Sequence, residues 1–272
     1  MSQEQNAYIL GTEQKELHRL GLQHQVWSSE ARKAWSLAGF SKGDRILDLG
    51  SGPGFCSMEL AYMVGPSGKV IAVDKSEVYL DFIEKINEHH QLNIDTIHAD
   101  FEQLILPEEN LDGMYCRWAL AWIPDPTDIL KKVYNALKPG GKIVVHEYFD
   151  WSTFQLEPHF PELMQSVMAI FNSFSEGQNN INVGKKLPHI LRNIGFHVLN
   201  QRPMHKMVRP NDLAWQWPYT FLNIFLPKLI EMGLQSEVDV KIALEQLDIL
   251  TQDSLSTIYC PLMVELIAQK PL

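Results

Sequence analysis

An α/β fold on a doubly wound, mostly parallel sheet is the architecture the sequence predicts. Three observations predict it. Between Arg45 and Tyr148, short apolar runs alternate with stretches of helical spacing about ten to fifteen residues long, the pattern of successive β-α-β units. The first of these runs empties into a glycine-rich turn that opens a helix. The 272 residues are 45% hydrophobic and 21% charged, which supplies apolar area for a sizeable core and excludes global disorder.

The elements follow in order. From Glu13 to Ala38, Leu17, Leu20, Val26, Trp27, Ala31 and Trp35 recur at helical spacing, predicting one or two amphipathic helices. Arg45–Leu49 reads as a strand, then Gly50-Ser51-Gly52-Pro53-Gly54 as a turn, with a helix through Met58, Leu60, Ala61 and Val64. Lys69–Val73 is the next strand and Ser76–His90 the next helix; Asp95–His98 and Met114–Trp118 are strands, and Thr127–Leu137 is a helix. A Lys138-Pro139-Gly140-Gly141 turn leads into the strand Lys142–Tyr148. Trp151–Gln178 is aromatic-rich at helical spacing with no strand candidate, so a helical insertion is expected there. Gly184–Ile194 reads as a helix, Phe196–Arg202 as a strand, Asn211–Gln252 as a second helical stretch and Leu262–Ala268 as the last strand. The expected organisation is a helical lid over 1–40 and a sheet domain over 41–272, with helical insertions at about 151–180 and 211–252.

Charge and cysteine content narrow the function. Lys+Arg 23 against Asp+Glu 33 leaves a net charge of −10, which argues against a duplex-binding protein that gains affinity by neutralising phosphates. Cys56, Cys116 and Cys260 make no disulfide framework and no metal-ligand spacing, so no metal is expected. Glu4, Glu13, Lys15 and Glu16 interrupt any leader-like apolar stretch, and Phe221–Ile230 is too short to span a bilayer. A cytoplasmic protein without membrane or nucleic-acid partners is the expectation.

The chemistry lies in Asp48-Leu49-Gly50-Ser51-Gly52-Pro53-Gly54. Alternate glycines let the backbone turn sharply and approach a ligand, and Asp74, twenty residues past Gly54, stands at the end of the next strand where a ribose offers two hydroxyls. A dinucleotide fingerprint read from Gly50 ends on Phe55 instead of a small residue, which disfavours a nicotinamide-dependent oxidoreductase. The run resembles instead the first motif of class I S-adenosylmethionine-dependent methyltransferases, D/E-x-G-x-G-x-G. Asp100-Phe101 is similar to that family's adenine-contacting pair, Leu111-Asp112-Gly113-Met114 to the lead into its fourth strand, and Leu137-Lys138-Pro139-Gly140-Gly141 to the turn before its fifth. Tyr8-Ile9-Leu10-Gly11, Glu16-Leu17, Gln23–Trp27, Arg117-Trp118-Ala119-Leu120 and Ile123-Pro124-Asp125-Pro126 resemble the small-molecule branch, which includes quinone-biosynthesis-like and natural-product enzymes.

The resemblance implies a Rossmann-like, seven-stranded sheet, S-adenosyl-L-methionine as cofactor, and a lid containing Gln23, His24 and Trp27. Candidate cofactor-binding residues are Asp48, Gly50, Ser51, Gly52, Gly54, Asp74, Lys75, Asp100, Phe101 and Arg117; for Arg117 an ion pair holding the lid is the alternative reading. Trp118, Trp122 and Tyr148 are candidate substrate walls, and His146 or Glu147, near the end of the fifth strand, a candidate base if the acceptor is a hydroxyl. The expected reaction is in-line methyl transfer to a small, partly apolar organic molecule. A non-catalytic adenosylmethionine-binding protein with the same pocket is the alternative.

Overall fold

The computed structural model describes residues 14–106, 110–176 and 179–272. Glu13, the Tyr8–Gly11 run and Gln178, which carried expectations above, lie outside the described residues. Among the described residues the chain divides into two compact units, one of 27–106, 110–152, 179–205 and 261–272, the other of 14–26, 153–176 and 206–260.

Among the described residues, ten strands form two sheets. In chain order they are β1 (Arg45–Leu49), β2 (Lys69–Asp74), β3 (Ile94–His98), β4 (Leu111–Arg117), β5 (Leu137–Asp150), β6 (Gln155–Glu157), β7 (His197–Met204), β8 (Met207–Val208), β9 (Thr257–Tyr259) and β10 (Leu262–Gln269). The first unit holds the seven-stranded sheet, in the order β3-β2-β1-β4-β5-β10-β7. β1 to β5 run parallel, so their carboxyl ends share one edge; β10 runs antiparallel between β5 and β7. This is the expected mostly parallel, doubly wound arrangement. The expected turn Lys138–Gly141 is absorbed into β5 as a bulge, because pairing with β4 steps from Leu111↔Leu137 to Gly113↔Lys142.

Helices are α1 (Gln14–Ala38), α2 (Phe55–Val64), α3 (Glu77–His90), α4 (Thr127–Ala136), α5 (Pro161–Glu176), α6 (Leu187–Ile194), α7 (Gln216–Glu231) and α8 (Glu237–Gln252). The expected one or two leading helices are a single α1. Its later half buries Ala31, Ala34 and Trp35 against Ile46, Tyr115, Val144 and Ile267 of the sheet, alongside Leu60 and Val64 of α2. The Trp35 ring meets Tyr115 edge-on at 5.2 Å, a geometry that aromatic quadrupoles favour. α3 starts on Ser76, whose hydroxyl accepts the Tyr79 N–H at 3.4 Å.

The other unit is built on α5, α7 and α8 with the early part of α1. Gln23 joins its helices, its amide oxygen accepting from Arg19 at 2.9 Å and from the Trp217 indole at 3.2 Å. Arg19 also grips Glu16 with two bonds of 2.6 and 2.7 Å, which pairs two charges that are otherwise buried. Ser236 and Asp239 close a reciprocal cap on α8. One expectation fails here: the segment read as strandless contains β6, which joins β9 and β8 in a three-stranded antiparallel sheet. Strands of two or three residues are too short to show an alternation.

Candidate active site

The glycine loop hangs from the end of β1. Gly50 and Ser51 both donate their backbone N–H to the Val73 carbonyl at 2.9 Å, which docks the loop on β2. Gly50, Gly52 and Gly54 have φ of 73°, 53° and 78°, the left-handed region that favours glycine. Their surroundings differ. A Cβ on Gly50 would overlap the Ala119 methyl, and one on Gly54 would overlap Ile83 of α3, whereas a Cβ on Gly52 would meet nothing within 4 Å. Two of the glycines are thus demanded by packing, and the third leaves room at its surface.

Two acids brace the loop. Asp48 is buried and accepts from the Ser57 hydroxyl at 2.6 Å, tying the end of β1 to α2. Burial pushes its carboxyl up to about 6, with the Ser57 bond and the Arg117 charge pulling back only in part. Asp74 accepts from Gly52 N at 2.7 Å and from Ser76 N at 2.9 Å. Burial raises its pKa against those two bonds. Each of its oxygens carries two lone pairs, so acceptor capacity remains for a diol. Ser51 is half-buried in the loop and Lys75 is exposed beside Asp74. Asp100 and Phe101 are half-buried beyond β3, and the Phe101 ring lies close to Gly50. Phe55, the residue that broke the dinucleotide pattern, opens α2 and packs edge-on against Phe82 at 6.2 Å.

β4 ends in a second tight turn. Trp118 has φ 54°, an uncommon conformation for a bulky aromatic residue. Its backbone N–H reaches the His146 carbonyl at 3.0 Å, and Leu120 N donates to Glu147 Oε1 at 2.7 Å. Consecutive residues of β5 therefore clamp residues 118–120, and the Ala119 methyl they hold is the one that faces Gly50. Around this turn the Trp118 ring stacks on Tyr148 (5.8 Å, 18°) and meets Trp27 edge-on at 5.8 Å; Tyr148 in turn lies 4.6 Å from Trp151. The Arg117 guanidinium lies 5.1 Å over the Trp118 ring, while Trp122 is half-buried in the 3-10 turn that follows.

The two candidate bases sit inside the sheet. His146 is fully buried with Tyr115 Oη 3.3 Å from Nδ1 and Glu265 Oε2 3.3 Å from Nε2. Burial lowers its pKa against the pull of Glu265. Burial alone would raise Glu265, yet its bonds to His146 and to Arg202, the latter at 2.7 and 3.2 Å, bring it down to about 2. Arg202 also binds Glu30 of α1 at 2.7 Å. Glu147 is fully buried as well, and burial pushes its carboxyl up to about 8. The sequence reading missed this row, although a lone Glu265 in the apolar run Leu262–Ala268 was a signal of a buried partner.

Comparison with known proteins agrees with the loop and the strand order. The family model described as a methyltransferase domain matches residues 40–200, more than half of the chain. Ubiquinone/menaquinone biosynthesis C-methyltransferase UbiE of Pseudomonas fluorescens (strain Pf0-1) is 30% identical over 134 residues, covering 47% of this chain and 50% of that protein. Demethylmenaquinone methyltransferase of Geobacillus sp. (strain WCH70) is 27% identical over 186 residues, covering 64% of this chain and 78% of that protein. The chain thus spans half the length of the Pseudomonas relative it matches. In fold it is similar to the crystal structure of a Bacillus halodurans C-125 protein, with a TM-score of 0.57 at 18% identity over 90% of this chain and 100% of that one. With the match over residues 40–200 and the glycine loop and acids that stand within it, the chain belongs to the methyltransferase-domain family, class I and S-adenosylmethionine-dependent.

Proposed function

We propose that this protein transfers a methyl group from S-adenosylmethionine to a small, partly apolar ring compound. The observation that carries the reading is the space in front of Gly52, in a loop whose neighbouring glycines are both closed by packing. In this reading the backbone of Gly50, Ser51 and Gly52 lies along the cofactor, Asp74 accepts the ribose hydroxyls, and Asp100 and Phe101 take the adenine edge and face, with Lys75 beside them. Gly54 and Asp48 shape the loop, and Arg117 supplies positive charge at the end of β4. Trp118, Trp122 and Tyr148 wall the acceptor side. The two relatives named for quinone methylation support a ring-shaped acceptor.

The donor supplies an electrophilic methyl group on a sulfonium. The chain's own task is to hold the acceptor in line and keep water away, an effect worth on the order of 7–11 kcal/mol. His146 and Glu147 take no base role here, since both are fully buried and His146 has a partner within 3.3 Å of each ring nitrogen. Isothermal titration with S-adenosylmethionine and S-adenosylhomocysteine tests the cofactor, and tritiated-methyl transfer into a metabolite extract tests the acceptor. Heat for both ligands and label in a small ring compound are expected. Absence of heat for either ligand would falsify the reading, and label confined to macromolecules would overturn the acceptor class.

A further inference from the structure

We infer that Glu147 is a positioning residue for the cofactor site, its buried side chain clamping the 118–120 turn that supports the glycine loop. The inference rests on the reading of that loop as the adenosylmethionine site. Trp118 holds φ 54°, a conformation that the loop after β1 on the same edge obtains from glycine, so something must hold it there. Two bonds do so. One, Trp118 N to the His146 carbonyl, belongs to the backbone and survives any side chain at 146. The other, Leu120 N to Glu147 Oε1 at 2.7 Å, is the only one of the two that a side chain supplies.

The turn reaches the loop through Ala119, whose methyl occupies the place a Cβ on Gly50 would need. A turn free to relax would withdraw that methyl and let Gly50 move with it. Glu147 Oε2 is buried and without a hydrogen-bond partner among the described residues, so Oε1 is the oxygen through which the carboxyl holds the turn. Burying a carboxyl with one oxygen unsatisfied costs stability, and a glutamine would bury an unsatisfied amide there at a similar cost. What the glutamate contributes is an acceptor at the right reach.

The test is calorimetric titration of S-adenosylhomocysteine into the wild-type chain and into Glu147→Gln, Glu147→Asp and Glu147→Ala, each checked for folding by circular dichroism. Glutamine keeps an oxygen at the same reach, so its affinity should stay within about threefold of wild type. Aspartate is one methylene short and alanine has no acceptor; both should weaken binding by about tenfold or more. A Glu265→Gln variant, which disturbs the neighbouring His146 and Arg202 bonds, should lose thermal stability while keeping its affinity. Equal affinity across all folded Glu147 variants would overturn the inference. So would equal loss in Glu147→Gln and Glu147→Ala, which would show that an acceptor oxygen at that reach is not what holds the turn. Should Glu147→Ala not fold, the Gln and Asp pair decides. No binding by the wild-type chain would count against the proposed function itself, not against the clamp.

Discussion

The glycine loop after β1 and the turn after β4 stand on the same edge of the sheet, and both need left-handed backbone. The loop obtains it from Gly50, Gly52 and Gly54, for which positive φ costs little. The turn obtains it from Trp118, for which it costs roughly 1–3 kcal/mol. The difference shows in what surrounds each. The loop is held by N–H bonds to Val73 and Asp74 alone among its strand-end neighbours, whereas the turn is held by His146 and Glu147 together and covered by stacked rings. A conformation that is intrinsically unfavourable persists where its neighbours over-determine it, and here it places a large buried indole against Tyr148 and Trp27.

Within the loop the same comparison ranks the glycines. Gly54→Val should have the largest effect of any change considered, because a branched side chain would meet both the left-handed penalty and the Ile83 side chain. Overpacking and backbone strain together suggest a loss of about 3–5 kcal/mol. Chemical denaturation should show a lowered midpoint or no cooperative transition at all. A fully stable Gly54→Val would mean that α3 yields without cost and that the packing argument is wrong.

The turn offers the next test, through its buried acid. Glu147 is held protonated up to about pH 8 in the folded chain, while the unfolded carboxyl ionises near 4.5. Between those values the folded state binds one more proton than the unfolded state, so stability falls as pH rises, by up to about 1.4 kcal/mol per pH unit. Asp48, raised to about 6, adds the same sign only below that pH. Glu265, lowered to about 2, and His146, lowered from 6.5, instead lose stability as pH falls through the acid range. Cys116, whose thiol is pushed well up by burial, stays neutral throughout. From pH 6.5 to 8 Glu147 therefore sets the main slope, with His146 opposing it at the lower end and Asp74, raised by burial, adding to it. Urea unfolding in that window should show a downward slope for wild type that flattens in Glu147→Gln. Parallel slopes would show that the carboxyl is already ionised when folded.

The two regions also differ in how far the sequence disclosed them. The loop was readable because glycine advertises its conformation and because an acid-ended strand precedes it. The succession of strands and helices from β1 to β5 followed from the same alternation. Trp118 carried no such mark, since nothing in Arg117-Trp118-Ala119-Leu120 announces a positive φ. His146 and Glu147 were read as chemistry from their place near a strand end; only their neighbours on β4, β10 and the 118–120 turn show them to be enclosed. In the other unit, α5, α7 and α8 were visible as helical periodicity, while β6, β8 and β9 were not, because pairing partners fifty or a hundred residues apart define them and local pattern does not.

Gly52 separates the two demands on the loop, and it should give the smallest change in stability. Asparagine visits the left-handed region more readily than other side chains, and a Cβ at this position meets no atom within 4 Å. Gly52→Asn should therefore cost no more than about 1 kcal/mol on folding. Its side chain would nevertheless project into the space assigned to the cofactor. Affinity for S-adenosylhomocysteine should fall at least about tenfold, the equivalent of ~1.4 kcal/mol. The Gly52 N–H would still reach Asp74 in this variant, so the acid stays in place and the loss is steric. Measured side by side, Gly54→Val should lose fold and Gly52→Asn should lose only ligand. If Gly52→Asn binds as tightly as wild type, the space in front of Gly52 is not where the cofactor lies. If instead it unfolds like Gly54→Val, the loop has no open face, and the contrast among its three glycines disappears.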